Sequence, residues 1–407
     1  MKKQRLMVLL AFACLVIIAS IIGCGTAVID GFLIPVGSLQ PKFVYIVCDG
    51  DITAFAIDPN TGKGTPVPGS PFAVAGGNGG QDEAVPDPSG RFLFVPESDN
   101  DAVGVFAIDQ TTGALKEIAG SPFPTGTDNF DVVQPVVHPT GRFLYVPEDS
   151  DSQIVAYTIG ADGTLKTMAD SPFPTSVVND QGVAIHPSGN FLYVGAQDGG
   201  VIVFSIDANG ALKEILPPAA GGEAGSTKIL AIPNAGNFLY VTDPDNDTVW
   251  AYQINPSTGT LTNVTGSPFS TGVAGSNPQG VAVTPDGRFV FVANNGEFDS
   301  AINGNVAAFS VNPSSGALTA VPGSPFTAGP NPQRIAVDPS GNFVGVTIED
   351  AGETPGGDAP VPKAPAVPGT AGLYVFQINQ QTGALTQVPG SPFDTSQGPE
   401  GIAVTHQ

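Results

Sequence analysis

One phenylalanine recurs seven times at nearly constant spacing, and that recurrence limits what this chain can fold into. It stands at Phe43, Phe92, Phe143, Phe191, Phe238, Phe289 and Phe343, with gaps of 49, 51, 48, 47, 51 and 54 residues. A period near this length marks an array of units that stack on one another to bury a shared core. A turn such as Pro88-Ser89-Gly90 or Pro187-Ser188-Gly189 precedes most anchors, and a β run such as Phe143-Leu144-Tyr145-Val146 follows each one. A second β run then carries an aromatic: Phe55, Phe106, Tyr157, Phe204, Tyr252, Phe309 or Phe376. A Thr-Gly-Ala-Leu type of turn, as at Thr112 to Leu115, leads to a third short strand. Six of the seven units close with Ser-Pro-Phe, as at Ser70-Pro71-Phe72, whereas the fourth has Pro217-Pro218-Ala219-Ala220.

A further apolar run precedes each turn, as in Gly280-Val281-Ala282-Val283, so each unit holds four short strands. Hydrophobic residues make up 41% of the chain and charged residues only 13%, too apolar a mixture for disorder. The 52 Gly and 39 Pro punctuate many short elements. The expectation is an all-β, seven-bladed β-propeller of four-stranded blades. The first unit lacks an inner strand before Phe43, and the chain ends on an orphan one, Gly401 to His406. That C-terminal strand is expected to pair into the first blade and close the ring, which leaves no bare edge.

The first residues read differently. A basic head ending at Arg5 is followed by the apolar run Leu6 to Ile22, short for a membrane span and suited to a signal peptide. The expected organisation is a signal peptide over 1–23, a lipidated N-terminus and tether over 24–40, and the propeller over 41–407. Ile21-Ile22-Gly23-Cys24 resembles the lipobox of bacterial lipoproteins. The resemblance implies lipidation of Cys24, export, and a lipid-anchored place in the cell envelope, at the outer membrane or surface; a plain secretory signal would also export the domain.

Fourteen Lys and Arg face 37 Asp and Glu, a formal net charge of −23. Such a field repels phosphate backbones and anionic lipid surfaces, so no nucleic-acid partner is expected, and membrane contact only through the anchor. The three cysteines, Cys14, Cys24 and Cys48, show no metal or disulfide spacing. A monomer is expected.

The Phe/Tyr-Val strand after a Pro-Ser-Gly turn resembles the YVTN-repeat and seven-bladed lactonase-like propellers, over about residues 41 to 407. That family includes 6-phosphogluconolactonase and a carboxymuconate-lactonizing relative. The resemblance implies the fold and a ligand site at the mouth of the central channel. Counting back from each turn proline places Asp82, Val133, Gln181, Lys228, Gln279, Gln333 and Glu400 at the starts of the inner strands, with Glu83, Gln134, Asp180 and Arg334 beside them. Several glutamines and two cations suit a neutral ligand better than a phosphate. Lactone hydrolysis would need a base, for which Glu83, Asp180 and Glu400 are candidates, and an electrophilic partner, Lys228 or Arg334.

His138 and His186 precede the turn proline where Asp87 and Asp338 also sit, which assigns them to the turn. No catalytic elbow, metalloprotease pair or nucleotide loop occurs. Acidic residues recur after the second strand: Glu97, Asp99 and Asp101; Glu148, Asp149 and Asp151; Asp243, Asp245 and Asp247. Their alternation is of the calcium-ligand kind, but none continues as a full loop, so solvated hairpin tips are expected, and no metal or cofactor. The Phe residues and Trp250 are assigned to the core, and the Pro-rich stretch 349–372 to a surface insertion. The leading functional expectation is a binding or interaction module for an unidentified protein or small neutral ligand. The alternative is a lactonase-type hydrolase acting on a neutral lactone at the channel mouth.

Overall fold

The computed structural model describes residues 26–29, 32–35, 42–48, 50–74, 83–97, 100–126, 134–148, 152–176, 180–196, 200–219, 229–272, 276–296, 304–348, 371–396, 398–399 and 401–405. The expected signal peptide 1–23, Cys24 and the body of the 349–372 insertion lie outside the described residues. The chain divides after Pro41. In the first unit, Thr26–Ile29 pairs antiparallel with Phe32–Pro35.

From Lys42 onward the described residues form seven antiparallel sheets, one for each anchor phenylalanine. Numbered by anchor, blade 3 shows the pattern. Its inner strand Val136–Val137 pairs with Phe143–Glu148, then follow Gln153–Ile159 and the outer Leu165–Thr167. Blade 1 takes its inner strand from the end of the chain: Gly401–Val404 pairs with Lys42–Cys48 in the register Val44↔Val404 to Val47↔Gly401. The Thr405 amide then donates to the Phe43 carbonyl at 3.0 Å. The ring closes as the orphan strand predicts.

The second strand of each blade is apolar on both faces because a blade packs on each side. Phe143 and Tyr145 point toward blade 4 and meet Val183, Leu192, Val194 and Phe204. Leu144 and Val146 point toward blade 2, against Phe92, Phe94, Val103 and Val105. A run buried on both faces needs no polar alternation, which explains Phe-Leu-Tyr-Val.

Neighbouring blades are also latched. Each anchor ring lies against the turn glycine of the next blade, as Phe143 does on Gly210, where φ is +87° and a Cβ would stand 2.7 Å from the ring. Two residues after the anchor, a tyrosine hydroxyl donates to that same glycine's carbonyl. Tyr45 reaches Gly113 and Tyr145 reaches Gly210 at 2.9 Å, Tyr193 reaches Gly259 at 3.0 Å, and Tyr240 reaches Gly316 at 3.4 Å.

The Ser-Pro-Phe motif does more than end a unit. Its serine Oγ accepts from a backbone amide of the third strand: Ser70 from Ala54, Ser121 from Val105 and Ser171 from Ala156, all at 2.8 to 2.9 Å. Its phenylalanine then pairs back on the same strand, as Phe173 does with Ile154. In blades 1, 2, 3, 5 and 6 this adds a two-residue segment to the expected four-stranded blade. In blade 7 the pairing reduces to one bridge, Leu373↔Phe393. Blade 4 has no such serine, and its outer strand Leu212–Ala219 runs on instead, with a register shift, to pair Ala219 with Val201.

Candidate functional site

The first two strands of a blade are antiparallel, so the start of the inner strand and the end of the second strand share one face of the ring. The turns with His138, His186, Asp87 and Asp338 lie on the other. There His138 contacts Thr140 at 2.7 Å and the Gly189 carbonyl of the next blade at 3.0 Å, and His186 repeats this with Ser188 and Gly236. Asp87 caps its turn through the amides of Arg91 and Phe92. These are turn caps, and the histidines are spent in them.

The strand-start face is built by β-bulges. In blade 6, Gln279 is the extra residue between the pairs Pro278↔Asn294 and Gly280↔Ala293. Blade 4 repeats this at Gln181, and in blade 7 the shift spans Gln333 and Arg334, between Pro332↔Ile348 and Ile335↔Val346. A bulge re-aims side chains that regular alternation would bury between blades. The approach is fixed by a left-handed residue before a proline, at Asn277 (φ 45°), Asn331 (φ 46°) and Gly398 (φ 64°). Asparagine and glycine tolerate that conformation. The Asn277 amide donates to Asp247 Oδ1 at 2.8 Å, and Gln279 Nε2 donates to Asn277 Oδ1 at 2.7 Å. Sequence reasoning missed Asn277 and read Asp247 only as part of a solvated tip, although the repeated Asn-Pro-Gln at 277–279 and 331–333 was a usable signal.

The decisive convergence joins blades 2, 3 and 7. Arg334 Nε forms an ion pair with Glu83 Oε1, 251 positions away in sequence, and Gln134 hydrogen-bonds the same carboxylate. Both ions are buried, Glu83 at 6% exposure and Arg334 at 3%. Burial pushes the Glu83 carboxyl above its ordinary value, and the bonds from Arg334 and Gln134 counter that only in part. The Arg334 amide donates to Thr347 Oγ1 at 3.1 Å, which holds the bulge to the second strand. Among the described residues, Gln134 Oε1, Asn294 Oδ1 and Asn295 Oδ1 are buried acceptors that meet no donor.

Of the residues expected at the mouth, the structure brings together Glu83, Gln134 and Arg334, and places Gln279 and Gln333 on bulges of the same face. Asp82, Lys228 and Glu400 lie outside the described residues, as do the side chains of Asp180 and Gln181.

Three of the acidic residues after the second strand correct the expectation of solvated tips, while Asp245 is exposed as expected. Glu97, Glu148 and Asp243 all stand five places after their anchors and are almost fully buried. That position is the last pair of the two long strands, covered by the adjacent blade. Each is bonded internally: Glu97 accepts from Asn100 at 3.0 Å through Oε2 while its Oε1 meets no donor, Glu148 accepts from Gln153 at 2.6 Å, and Asp243 from Trp250 Nε1 at 3.0 Å. Trp250 itself stacks on Tyr252. Among the described residues no three His, Cys, Asp or Glu are grouped to hold a metal ion. Asp99, Asp149 and Asp151 lie outside the described residues.

The family model "Lactonase, 7-bladed beta-propeller" matches residues 81–276 and 265–354, more than half of the chain. The chain belongs to the lactonase seven-bladed β-propeller family. Solved structures agree with this lactonase-family fold. A putative 6-phosphogluconolactonase from Bacteroides fragilis is 19% identical with a TM-score of 0.73, over 92% of this chain and 100% of that one. One from Bacteroides uniformis is 18% identical with a TM-score of 0.72, over 90% and 100%. The periplasmic gluconolactonase PpgL of Pseudomonas aeruginosa is 19% identical with a TM-score of 0.64, over 90% and 99%. At these identities the likeness is one of fold. No curated protein matches the chain.

Proposed function

We propose that this lactonase-family propeller is a lactonase-type hydrolase for a neutral lactone, working at the channel face where Glu83, Gln134 and Arg334 converge. The supporting observation is the buried Glu83–Arg334 pair beside an unpartnered acceptor on Gln134. Ring opening needs a base to take a proton from the attacking water and a positive group for the oxygen that gains charge. Glu83 is the base in this reading. Gln134 holds its carboxylate, and the Arg334 guanidinium receives the lactone carbonyl oxygen as it becomes an oxyanion. The ring C–O bond then breaks, and the leaving alkoxide takes the proton from Glu83.

The ligand's character follows from the same groups. Arg334 already faces a carboxylate, which leaves little positive potential for a phosphate at −23 overall charge. Gln134 Oε1, with no donor of its own, suits a hydroxyl-bearing ligand. Export by the segment 1–23 and lipid anchoring at Cys24 belong to the same proposal, and would place the activity outside the cytoplasm.

The test is calorimetric titration of the chain with an unphosphorylated sugar 1,5-lactone and with its 6-phosphate. The expected result is binding of the neutral lactone, lost in Arg334→Met at a temperature where that variant, though it melts lower, is still folded. Preference for the phosphate, or binding unchanged in Arg334→Met, would refute the site. Binding that survives without any turnover would return the chain to the reading of a binding module.

A further inference from the structure

We infer that the seam between blade 7 and blade 1 is the ring's built-in opening point, because it alone lacks the aromatic latch. The latch position, two residues after each anchor, holds Tyr45, Phe94, Tyr145, Tyr193, Tyr240 and Phe291 in blades 1 to 6. In blade 7 it is Gly345, which offers Gly62 of blade 1 neither a ring nor a hydroxyl. The anchor half of the latch remains, since Phe343 lies on Gly62 as the other anchors lie on their glycines.

The missing side chain leaves a space. A cavity of about 20 Å³ lies there, lined by Val44, Ile57, Phe343, Leu373, Val375 and Ile402 among others. It is large enough for one water, but its lining is apolar apart from Asp338, so it costs packing contacts with little hydrogen bonding in return. Ile402 and Leu373 take up part of the vacated place without closing the cavity. Their terminal carbons stand 3.0 and 3.3 Å from where a Gly345 Cβ would be. Ile402 also belongs to the C-terminal strand Gly401–Val404, which joins blade 1 by pairing and packing rather than by chain continuity with its neighbour strand. The missing aromatic, the cavity and the one non-continuous strand pairing therefore coincide.

The seam also divides the candidate site. Arg334 belongs to blade 7 and Glu83 to blade 2, and the ion pair between them spans blade 1 at the channel. An opening between blades 7 and 1 parts the two, so the pair acts as a clasp where the latch is absent. Proteins open locally at their least packed units, and here that unit lies beside the mouth.

Cys48 is a native probe of this seam. It is fully buried and packs on the blade 7 side of blade 1 with Leu373 and Ile402. Ala196 is its counterpart in blade 4, five residues after the anchor, equally buried and facing blade 3 across the seam latched by Tyr145 and Gly210. Thiol labelling of the full chain under native conditions, read by mass spectrometry of the separate peptides, compares Cys48 with the thiol of Ala196→Cys. Cys48 is expected to label at least about tenfold faster, the factor one lost buried hydrogen bond is worth. Glu83→Gln should speed Cys48 further and leave position 196 unchanged. Equal labelling at the two positions, or equal acceleration of both by Glu83→Gln, would overturn the proposal. On the unmodified chain, hydrogen exchange reads the same contrast: residues 43–48 should exchange faster than residues 191–196, and equal protection would also overturn it.

Discussion

The hydroxyl of Ser171 accepts a hydrogen bond from the Ala156 amide at 2.9 Å, and Ser121 and Ser267 do the same for Val105 and Ala251. The serine takes a donor from the third strand just where the short fourth strand ends. Ser171→Ala removes that acceptor and is expected to cost about 1–3 kcal/mol, the penalty for a buried donor left unpaired. Chemical denaturation of parent and variant measures it. A loss below about 0.5 kcal/mol, the lower bound for a hydrogen bond, would mean water replaces the serine.

A pH series tests the buried acid of blade 2. Burial raises the Glu97 carboxyl above its ordinary value, Asn100 counters this in part, and the charge of Glu117 adds to the rise. A carboxyl raised on folding binds more protons folded than unfolded, so it lowers stability as pH climbs from the unfolded value through the folded one. Glu97→Gln should therefore melt higher than the parent at neutral pH, with the gain vanishing below about pH 4, where both states are protonated. A variant that melts lower at every pH would show that the charged carboxylate is needed.

The buried pair at the mouth can be dissected by a double-mutant cycle. Arg334→Met leaves Glu83 buried and unpaired, which typically costs about 3–5 kcal/mol. Adding Glu83→Gln removes the stranded charge and should recover most of that loss. Urea denaturation of the four chains gives the coupling. Strict additivity of the two substitutions would show that the groups do not interact in solution.

Much of the fold is legible in the sequence because it is local and periodic. The seven anchors, the turn roles of His138 and His186, and the closing strand at Gly401 follow from repeat position alone. The site is less legible for a physical reason. Arg334 and Glu83 meet across a ring, and bulges decide which neighbouring residue turns to the channel. Glu97, Glu148 and Asp243 read as solvent-exposed because acidic runs usually are. Their burial depends on the next blade, which a count along one repeat does not include. The tyrosine latches were visible only as apolar strand residues, since their acceptors lie 65 to 76 positions away.

Closure can be tested separately from chemistry. Removing residues 401–407 bares the edge of Lys42–Cys48 and exposes what Ile402 covers, a side chain worth about 1.5–3 kcal/mol by itself. The truncated chain should melt well below the parent and aggregate through the bare edge. A melting point within about one degree of the parent, a shift worth less than about 1 kcal/mol for a chain of this size, would mean another segment completes blade 1.

The most direct measurement is of acid release from an unphosphorylated sugar 1,5-lactone, followed in a pH-stat with the full chain and with Glu83→Gln. Hydrolysis should exceed the spontaneous rate and fall by about 100-fold or more in the variant, the usual worth of a general base. Hydrolysis no faster than the uncatalysed reaction, or equal rates for the two chains, would contradict a lactonase site at Glu83.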